Sequence, residues 1–134
     1  MEIFATGSIP HYKSDIKYGI IVIKVISIDD DVKDFFTSII NDLKVNLSEC
    51  KKNIKLEIDL VYFNTRSSRY LMEIFNLCRD ITTLNGYSVS VDWYYEEDDL
   101  DMQDTAIDYQ NITKIPFKTI SREPSNMDDY DLDL

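Results

Sequence analysis

The spacing of hydrophobic residues changes several times along this chain, and this pattern restricts the fold to one class. Residues 54–60 alternate strictly between apolar and charged side chains, which predicts a strand. Residues 70–81 instead repeat apolar side chains every three or four positions, which predicts an amphipathic helix. Strands that alternate with helices are joined by right-handed crossovers and form a largely parallel sheet. We therefore predict a single α/β domain, with a central mixed, largely parallel β-sheet and about three helices packed on it.

The same spacing rules place the remaining elements. Residues 19–26 form a nearly continuous β-branched run, as expected of a strand that is covered on both faces. The other predictions are a short edge strand within 3–10, helices over 32–47 and from the acidic run near Asp101, a strand over 87–95 and a last edge segment over 115–120.

The strongly acidic composition excludes several classes of partner. The 134 residues include 25 acidic and 14 basic groups, for a net charge of −11. Such a surface repels phosphate backbones and anionic lipids, so we expect protein partners, no nucleic-acid binding and no membrane insertion. The sequence has no leader-like start, and its apolar run at 19–28 is too short to cross a bilayer, which predicts a cytoplasmic protein.

The chain carries no set of residues that assembles a catalytic centre. His11 is the single histidine, in a predicted surface loop beside Pro10, and no spacing links it to Cys50 or Cys78, which we expect to be free thiols. Gly-rich phosphate loops are absent, and the acidic runs lack the spacing and central Gly of a calcium loop. We therefore predict a non-enzymatic protein without a metal site or cofactor.

A cluster of hydroxyl and basic side chains lies where the strand at 54–60 passes into the next helix. Asn64 or Thr65 is placed to cap that helix, because a side-chain oxygen there accepts from free backbone N–H groups. A phosphate on Thr65 would be stabilised by the helix dipole and by Arg66 and Arg69. From these residues alone, a capped helix after a strand is the simpler interpretation.

A second unusual block, residues 93–99, runs from aromatic side chains directly into four carboxylates. A strand end with buried aromatics, followed by acids at a helix start, explains Trp93. It explains the adjacent tyrosines less well. Since strand ends that precede helices share one edge of such a sheet, we expect this block to lie beside Thr65 and to form one recognition face with it. The predicted partner-binding residues are Tyr94, Tyr95, Glu96, Glu97, Asp98 and Asp99.

Both blocks, in this order, resemble the SiaC family of bacterial regulatory phosphoproteins. The first reads Tyr62-Phe63-Asn64-Thr65-Arg66-Ser67-Ser68-Arg69 and the second Asp92-Trp93-Tyr94-Tyr95-Glu96-Glu97-Asp98-Asp99. The resemblance implies that a dedicated kinase phosphorylates Thr65 and that a metal-dependent Ser/Thr phosphatase reverses the reaction. It also implies that the unphosphorylated form binds and activates a diguanylate cyclase, in cyclic di-GMP signalling that controls biofilm formation and aggregation. The other residues of the first block would then surround the phosphate or contact a partner.

This sequence differs from the usual family pattern at two places, and its order of elements is similar to that of another fold family. Arg66 stands where the family usually has a small hydroxyl residue, and residues 29–31 are three Asp where a Pro-Glu pair is usual. The order of elements is also similar to the STAS domains of anti-sigma-factor antagonists, which carry a phosphorylatable hydroxyl where a central strand meets its helix.

The end of the chain differs from the rest in composition. We predict a regulatory domain over residues 1–120 and an acidic tail over 121–134. The tail has five acids against Arg122, a charge of −5 + 1 = −4, and too few apolar residues to fold alone. Disorder is the simpler expectation for it, although its Tyr and Leu residues, interleaved with Asp, also suit docking on a basic groove.

Three other functions fit the sequence. An anti-sigma-factor antagonist in a partner-switching pathway would use the same fold and hydroxyl. An enzyme would combine the acidic block with a divalent metal. A constitutive protein-interaction module would use Thr65 only as a helix cap.

Overall fold

The computed structural model describes residues 2–3, 11–25, 32–60 and 65–123, which form a single sheet with three α-helices. The strands are β1 (Glu2–Ile3), β2 (His11–Asp15), β3 (Ile20–Val25), β4 (Ile54–Leu60), β5 (Val89–Glu96) and β6 (Phe117–Arg122). The helices are α1 (Val32–Asn46), α2 (Thr65–Leu84) and α3 (Leu100–Thr113), and a short 3-10 turn (Leu47–Glu49) follows α1.

The six strands lie in the sheet in chain order, and most of them are parallel. The pairs β1–β2 and β2–β3 are antiparallel, whereas β3, β4, β5 and β6 run parallel to one another. Each parallel pair is joined through a helix, as a crossover connection requires. The predicted α/β class, the largely parallel sheet and the three helices are confirmed.

The helical stripes read from the sequence form one side of the core. In α1, Phe35, Phe36, Ile39, Ile40 and Leu43 are buried, so the 3.6-residue period presents one apolar face to the sheet. The buried apolar residues of α2 are Leu71, Ile74, Phe75 and Cys78, and those of α3 are Met102, Ala106 and Tyr109. Ile107 of α3 is 48% exposed and lies outside this core.

The described helices cover only one face of the sheet, which corrects the prediction that β3 is covered on both. Burial alternates along β5, and its buried side chains share a face with Ile21, Ile23 and Val25 of β3. On the opposite face Ile20 is exposed and Lys24 is only half-buried. A continuous β-branched run therefore does not by itself distinguish a strand with two covered faces from an alternating one.

Strand β2 was not predicted, and His11 lies in it rather than in a surface loop. Residues 11–15 have a single large apolar side chain, Tyr12, so their own strand propensity is weak. The strand forms because it pairs with β3, with Tyr12 opposite Ile23, and because Tyr12 is fully buried.

A hydrogen-bond network around Asp42 joins β2 to α1. The Tyr12 hydroxyl donates to Asp42 Oδ2 at 2.6 Å, and the Ser14 hydroxyl donates to the same oxygen at 3.0 Å. Asn46 Nδ2 donates to Asp42 Oδ1 at 2.8 Å. Burial and the bond to Asp42 raise the pKa of Tyr12 well above its usual range, so its hydroxyl stays a donor.

The end of the sheet also corrects the predicted boundary of the tail. Strand β6 continues through Arg122, so Ser121 and Arg122 belong to the sheet. The Arg122 carbonyl accepts from Glu97 N–H at 2.8 Å, which extends the pairing to the last residue of the strand. The rest of the tail from residue 124, residues 4–10 of the edge strand predicted within 3–10, and the Asp triplet at 29–31 lie outside the described residues.

Candidate functional site

Thr65 is the first residue of α2, and its side chain is exposed. Residues 61–64 separate it from the end of β4, so the helix starts at the edge of the sheet where β4 ends. Tyr62, Phe63 and Asn64, which we predicted to surround the phosphate or cap the helix, lie outside the described residues. The exposed position at a helix start is where a negative group is best tolerated.

The three hydroxyl residues of this turn differ sharply in access to solvent. Ser67 is 1% exposed and packs on the inner face of α2. Ser68 is half-buried, and its hydroxyl oxygen lies 3.0 Å from the Tyr109 hydroxyl. Only Thr65 of the three therefore presents its hydroxyl to a kinase without a change in structure. Ser67 was predicted to surround the phosphate or contact a partner; its side chain is buried in the free protein, and its role in the site stays a prediction.

The two cations of this turn are exposed but lie in different directions from Thr65. Arg69 follows Thr65 by four residues, which places both side chains on one face of the helix. Arg66 follows by one residue and points about 100° away around the axis. Arg69 is therefore the better placed of the two to pair with a phosphate on Thr65.

Tyr109 of α3 connects this turn to the core, and the sequence analysis did not identify it as a site residue. Its hydroxyl donates to the backbone carbonyl of Ser68 at 2.9 Å. Its ring packs edge-on against Phe75, with 5.0 Å between centroids, and lies 5.7 Å from the Trp93 ring. Burial raises the pKa of Tyr109, with the bond to Ser68 acting in the opposite direction.

We expect Tyr109→Phe to loosen the first turn of α2 while leaving the fold intact. The substitution keeps the ring contacts and removes the hydrogen bonds to Ser68, at a cost of about 1 kcal/mol in the free energy of unfolding. Hydrogen exchange should accelerate in the first turn of α2 but stay unchanged at Leu84. Equal exchange in the variant and the parent at residues 69–72, whose N–H groups donate to the carbonyls of the first turn, would contradict this role.

A shallow groove between α2 and α3 lies next to the same turn. It has a volume of about 290 Å³ and is lined by Ser68, Met72, Thr105, Asp108, Tyr109 and Ile112. Ile112 is 63% exposed at its rim. Mixed apolar and polar walls of this kind suit a protein partner better than a small polar ligand.

The acidic block is divided between the two faces of the sheet. Tyr95 is 8% exposed and packs toward the helices, whereas Tyr94 is half-buried on the open face. Tyr94 lines a pocket of about 230 Å³ with Val22, Lys24, Glu57 and Asp59. Burial and the Glu57 carboxylate raise the pKa of Tyr94. Tyr95 therefore points toward the core and Tyr94 toward the open face, because neighbouring residues of a strand point to opposite faces. Contact of either tyrosine with a partner stays a prediction.

The carboxylates of the block also have distinct roles. Glu97 and Asp98 are exposed, whereas Asp99 is the N-cap of α3 and accepts from Met102 N–H at 3.2 Å. Asp99 therefore has a structural role at the helix start, and Glu97 and Asp98 are the block's exposed acids.

Arg122 of β6 pairs with carboxylates of two other strands at the edge of the sheet. The sequence analysis instead placed this residue in the tail. Its guanidinium lies 2.7 Å from Asp59 of β4 and 3.6 Å from Glu96 of β5. The register of β4 and β5 sets Asp59 opposite Tyr94, so the strand that leads to Thr65 ends beside the acidic block. The two predicted blocks therefore share one edge of the sheet. Contact of both with a partner stays a prediction.

We expect Arg122→Ala to destabilise the protein by about 2 kcal/mol, since it leaves two partly buried carboxylates without this cation. Lys55→Ala is a matched control on the same face, because the Lys55–Asp92 pair at 3.3 Å has a half-exposed lysine. Its loss should cost less than about 1 kcal/mol. Denaturant unfolding measures both values, and equal costs would contradict the role of Arg122.

The described parts of the chain hold no group of three or more His, Cys, Asp or Glu side chains arranged to bind a metal ion. Within the same residues, no helix has both the length and the apolar character needed to cross a membrane.

Comparisons with known proteins agree with this geometry. An uncharacterised protein of Pseudomonas aeruginosa strain UCBPP-PA14 is 23% identical over 117 residues, which are 87% of this chain and 92% of the relative. The crystal structure of apo-SiaC from P. aeruginosa matches with a TM-score of 0.77 and 22% identity, over 90% of this chain and 98% of that one.

A third match is a complex. It is the crystal structure of the P. aeruginosa diguanylate cyclase SiaD with its activator SiaC, with a TM-score of 0.75 and 21% identity, over 91% of this chain and 99% of the matched chain. At these identities the solved structures show the shared fold. The model of the SiaC family of regulatory phosphoproteins matches residues 3–122. This chain therefore belongs to the SiaC family of regulatory phosphoproteins.

Proposed function

We propose that this protein is a non-enzymatic cytoplasmic regulator, switched by reversible phosphorylation of Thr65, whose unphosphorylated form binds and activates a diguanylate cyclase. The observation that carries the proposal is the position of Thr65. It is the exposed hydroxyl at the first turn of α2, while Ser67 is buried and Ser68 is engaged by Tyr109. Membership of a family of regulatory phosphoproteins supports a modified residue in the domain.

The physical effect of the phosphate would fall on the partner rather than on the fold. A phosphate adds about two negative charges and strong acceptor oxygens at one surface point. At the start of α2 the dipole, the free N–H groups and Arg69 would stabilise it, so the domain stays folded. A partner that packs on the neutral Thr65 hydroxyl would have to bury a dianion, which opposes binding.

The choice of a diguanylate cyclase as effector rests on a relative. A SiaC protein of the same fold is the activator in a crystal structure with its cyclase, SiaD. The partner surface that we propose here combines the first turn of α2 with the exposed acids Glu97 and Asp98 at the same edge of the sheet. A protein kinase and a Ser/Thr phosphatase would set the fraction of the active, unphosphorylated form.

Peptide mass spectrometry on protein from its native cells, with the phosphatase inhibited, tests the switch. We expect one phosphate, mapped to Thr65. Pull-downs with Thr65→Ala should recover a cyclase, and those with Thr65→Glu should not. Recovery of an anti-sigma kinase would instead assign the chain to a partner-switching pathway. Thr65 that stays unmodified while its kinase is present would leave a constitutive interaction module.

The acidic face has a separate test. We expect the double variant Glu97→Gln and Asp98→Asn to weaken cyclase binding by about tenfold without a change in unfolding, because both side chains are exposed. Asp80, at 67% exposure on α2, offers a matched control through Asp80→Asn. Binding that is equally strong in the double variant and the control would remove the acidic block from the interface.

A further inference from the structure

The loops at one edge of the sheet carry lysines and no acids. This edge is where β3, β4, β5 and β6 begin, opposite the edge that holds Thr65, and its loops are residues 16–19, 50–53, 85–88 and 114–116. All of them lie within the described residues. The charged side chains in these loops are Lys17, Lys51, Lys52 and Lys114, although the chain has 25 acidic and 14 basic groups. Lys114 follows the last turn of α3, where the helix dipole favours a cation, but this explanation does not apply to a turn between strands.

Three of these lysines are exposed in adjacent loops. Lys17 lies in the turn between β2 and β3, and Lys51 and Lys52 lie in the loop before β4. Among the described residues, none of the three forms an ion pair with a carboxylate. Glu49 is the exposed acid beside them, and Asp15 is only half-buried. The exposed cations therefore outnumber the exposed acids at this edge, the reverse of the chain as a whole.

Two exposed tyrosines flank the same lysines. Tyr18 is 63% exposed and Tyr87 36% exposed. Asn53 lies against Gly19, the residue after Tyr18, and its Oδ1 accepts at 3.0 Å from the N–H of Ser88, the residue after Tyr87. The loop before β4 therefore lies between the two tyrosines. Since one strand separates β3 from β5, their backbones lie about 10 Å apart.

We call Lys17, Tyr18, Lys51, Lys52 and Tyr87 the amino-edge patch. Its backbone is fixed by the strands that begin there, because Lys55 N–H donates to the Gly19 carbonyl at 2.8 Å and Ile54 N–H to the Ser88 carbonyl at 2.9 Å. A preformed surface loses little conformational entropy when it binds. Tyrosine is a frequent anchor of protein interfaces, and charged side chains at the rim select a partner of opposite charge.

We propose that the amino-edge patch is a second docking surface, which binds an acidic segment of a partner protein whether or not Thr65 is phosphorylated. Apolar side chains of the segment would pack on Tyr18 and Tyr87, and its carboxylates would pair with the three lysines. The seven residues of β4 separate the patch from the Thr65 edge by about 23 Å. This distance is more than two Debye lengths at physiological salt, so a phosphate at Thr65 has little effect on the patch.

The charge of the whole chain favours a short acidic segment over other anionic partners. A nucleic acid is a polyanion that the net charge of −11 repels, and three lysines neutralise few of its phosphates. A second copy of the chain would bring together two domains of the same net charge. A segment with a few carboxylates meets less of this repulsion, and its apolar residues use the two tyrosines.

Fluorescence anisotropy on the full chain tests the patch, with a short labelled peptide of alternating Glu and Leu as the probe. We expect the affinity to fall at least about tenfold when three lysines are replaced by Gln, namely Lys17, Lys51 and Lys52. A matched control removes the same charge at three exposed lysines outside these loops, Lys13, Lys33 and Lys118. The control should bind within about threefold of the parent, and so should Thr65→Glu. Because all six lysines are exposed, both triple variants should unfold at the temperature of the parent.

The position of the bound peptide is a separate readout. On addition of the peptide, we expect the amide resonances of Gly19, Asn53 and Ser88 to shift, and the peptide in which Gln replaces Glu should bind at least about tenfold more weakly. Absence of binding, equal losses in the two triple variants, or unshifted resonances at these three residues would overturn the proposal. Loss of peptide binding in Thr65→Glu would contradict its independence of the switch. Tighter binding to vesicles of anionic lipid, or self-association through the same lysines, would give the patch a different occupant and overturn the proposal.

Discussion

Phosphorylation of Thr65 should weaken cyclase binding at least about a hundredfold and leave the unfolding temperature nearly unchanged. A hundredfold loss corresponds to about 2.7 kcal/mol, which is below the cost of burying an unpaired dianion in an interface. The same charge is well placed in the isolated domain, because Thr65 is exposed at the start of α2 with Arg69 one turn away.

Titration calorimetry with the purified cyclase and the singly phosphorylated protein measures this effect, and thermal unfolding measures stability. Phosphothreonine at position 83 is a matched control, because Thr83 is exposed on the same helix but about 27 Å further along its axis. It should leave cyclase affinity within about threefold of the unmodified protein. Equal weakening by the two phosphates would show that net charge, rather than the position of Thr65, controls binding.

The elements that could be predicted from the sequence are those determined by the pattern of residues close together in the chain. Residues 54–60 alternate without exception, and β4 has those bounds. The helix after Thr65 was predicted from its apolar period, and its end at Leu84 precedes Gly86, which adopts a φ of +86°. In these segments, hydrophobic pattern and turn chemistry agree.

The elements that sequence analysis missed depend on contacts between distant residues. Strand β2 exists through its pairing with β3, and Asp42, about thirty positions away, accepts the bond from its one buried side chain. Arg122 looked like an isolated cation in an acidic tail, but it lies between Asp59 and Glu96 once β4, β5 and β6 are adjacent.

The candidate site likewise has features that the local sequence determines and features that depend on contacts between distant residues. The position of Thr65 at a helix start is a local property, and the sequence pattern indicated it correctly. The burial of Ser67 and the bond from Tyr109 to Ser68 depend on how α2 packs on the sheet and on α3. Placing Tyr94 and Tyr95 on opposite faces required only the two-residue period of a strand, which we applied to the core but not to the recognition face.

Gly19→Ala should destabilise the protein by about 3 kcal/mol or more. The substitution removes no existing contact, and the cost comes from the methyl group that it adds. Gly19 lies in the turn between β2 and β3 with a φ of +73°, and a Cβ there would come within 2.4 Å of the Asn53 carbonyl oxygen. Its own carbonyl accepts from Lys55 N–H at 2.8 Å, so the turn cannot move away without disturbing the start of β4. The strain of the left-handed backbone and the steric conflict with Asn53 therefore both contribute to the loss of stability in Gly19→Ala.

Gly86 separates these two terms, because it has a similar φ of +86° but nothing lies within 4 Å of the position of its Cβ. Gly86→Ala should cost only the left-handed strain, about 1 kcal/mol. Urea unfolding of both variants gives the difference, which we expect to be about 2 kcal/mol or more in favour of Gly86→Ala. Equal costs would show that the turn at Gly19 relaxes around a methyl group. In that case the close approach to Asn53 would not fix the position of β4, the strand that leads to Thr65.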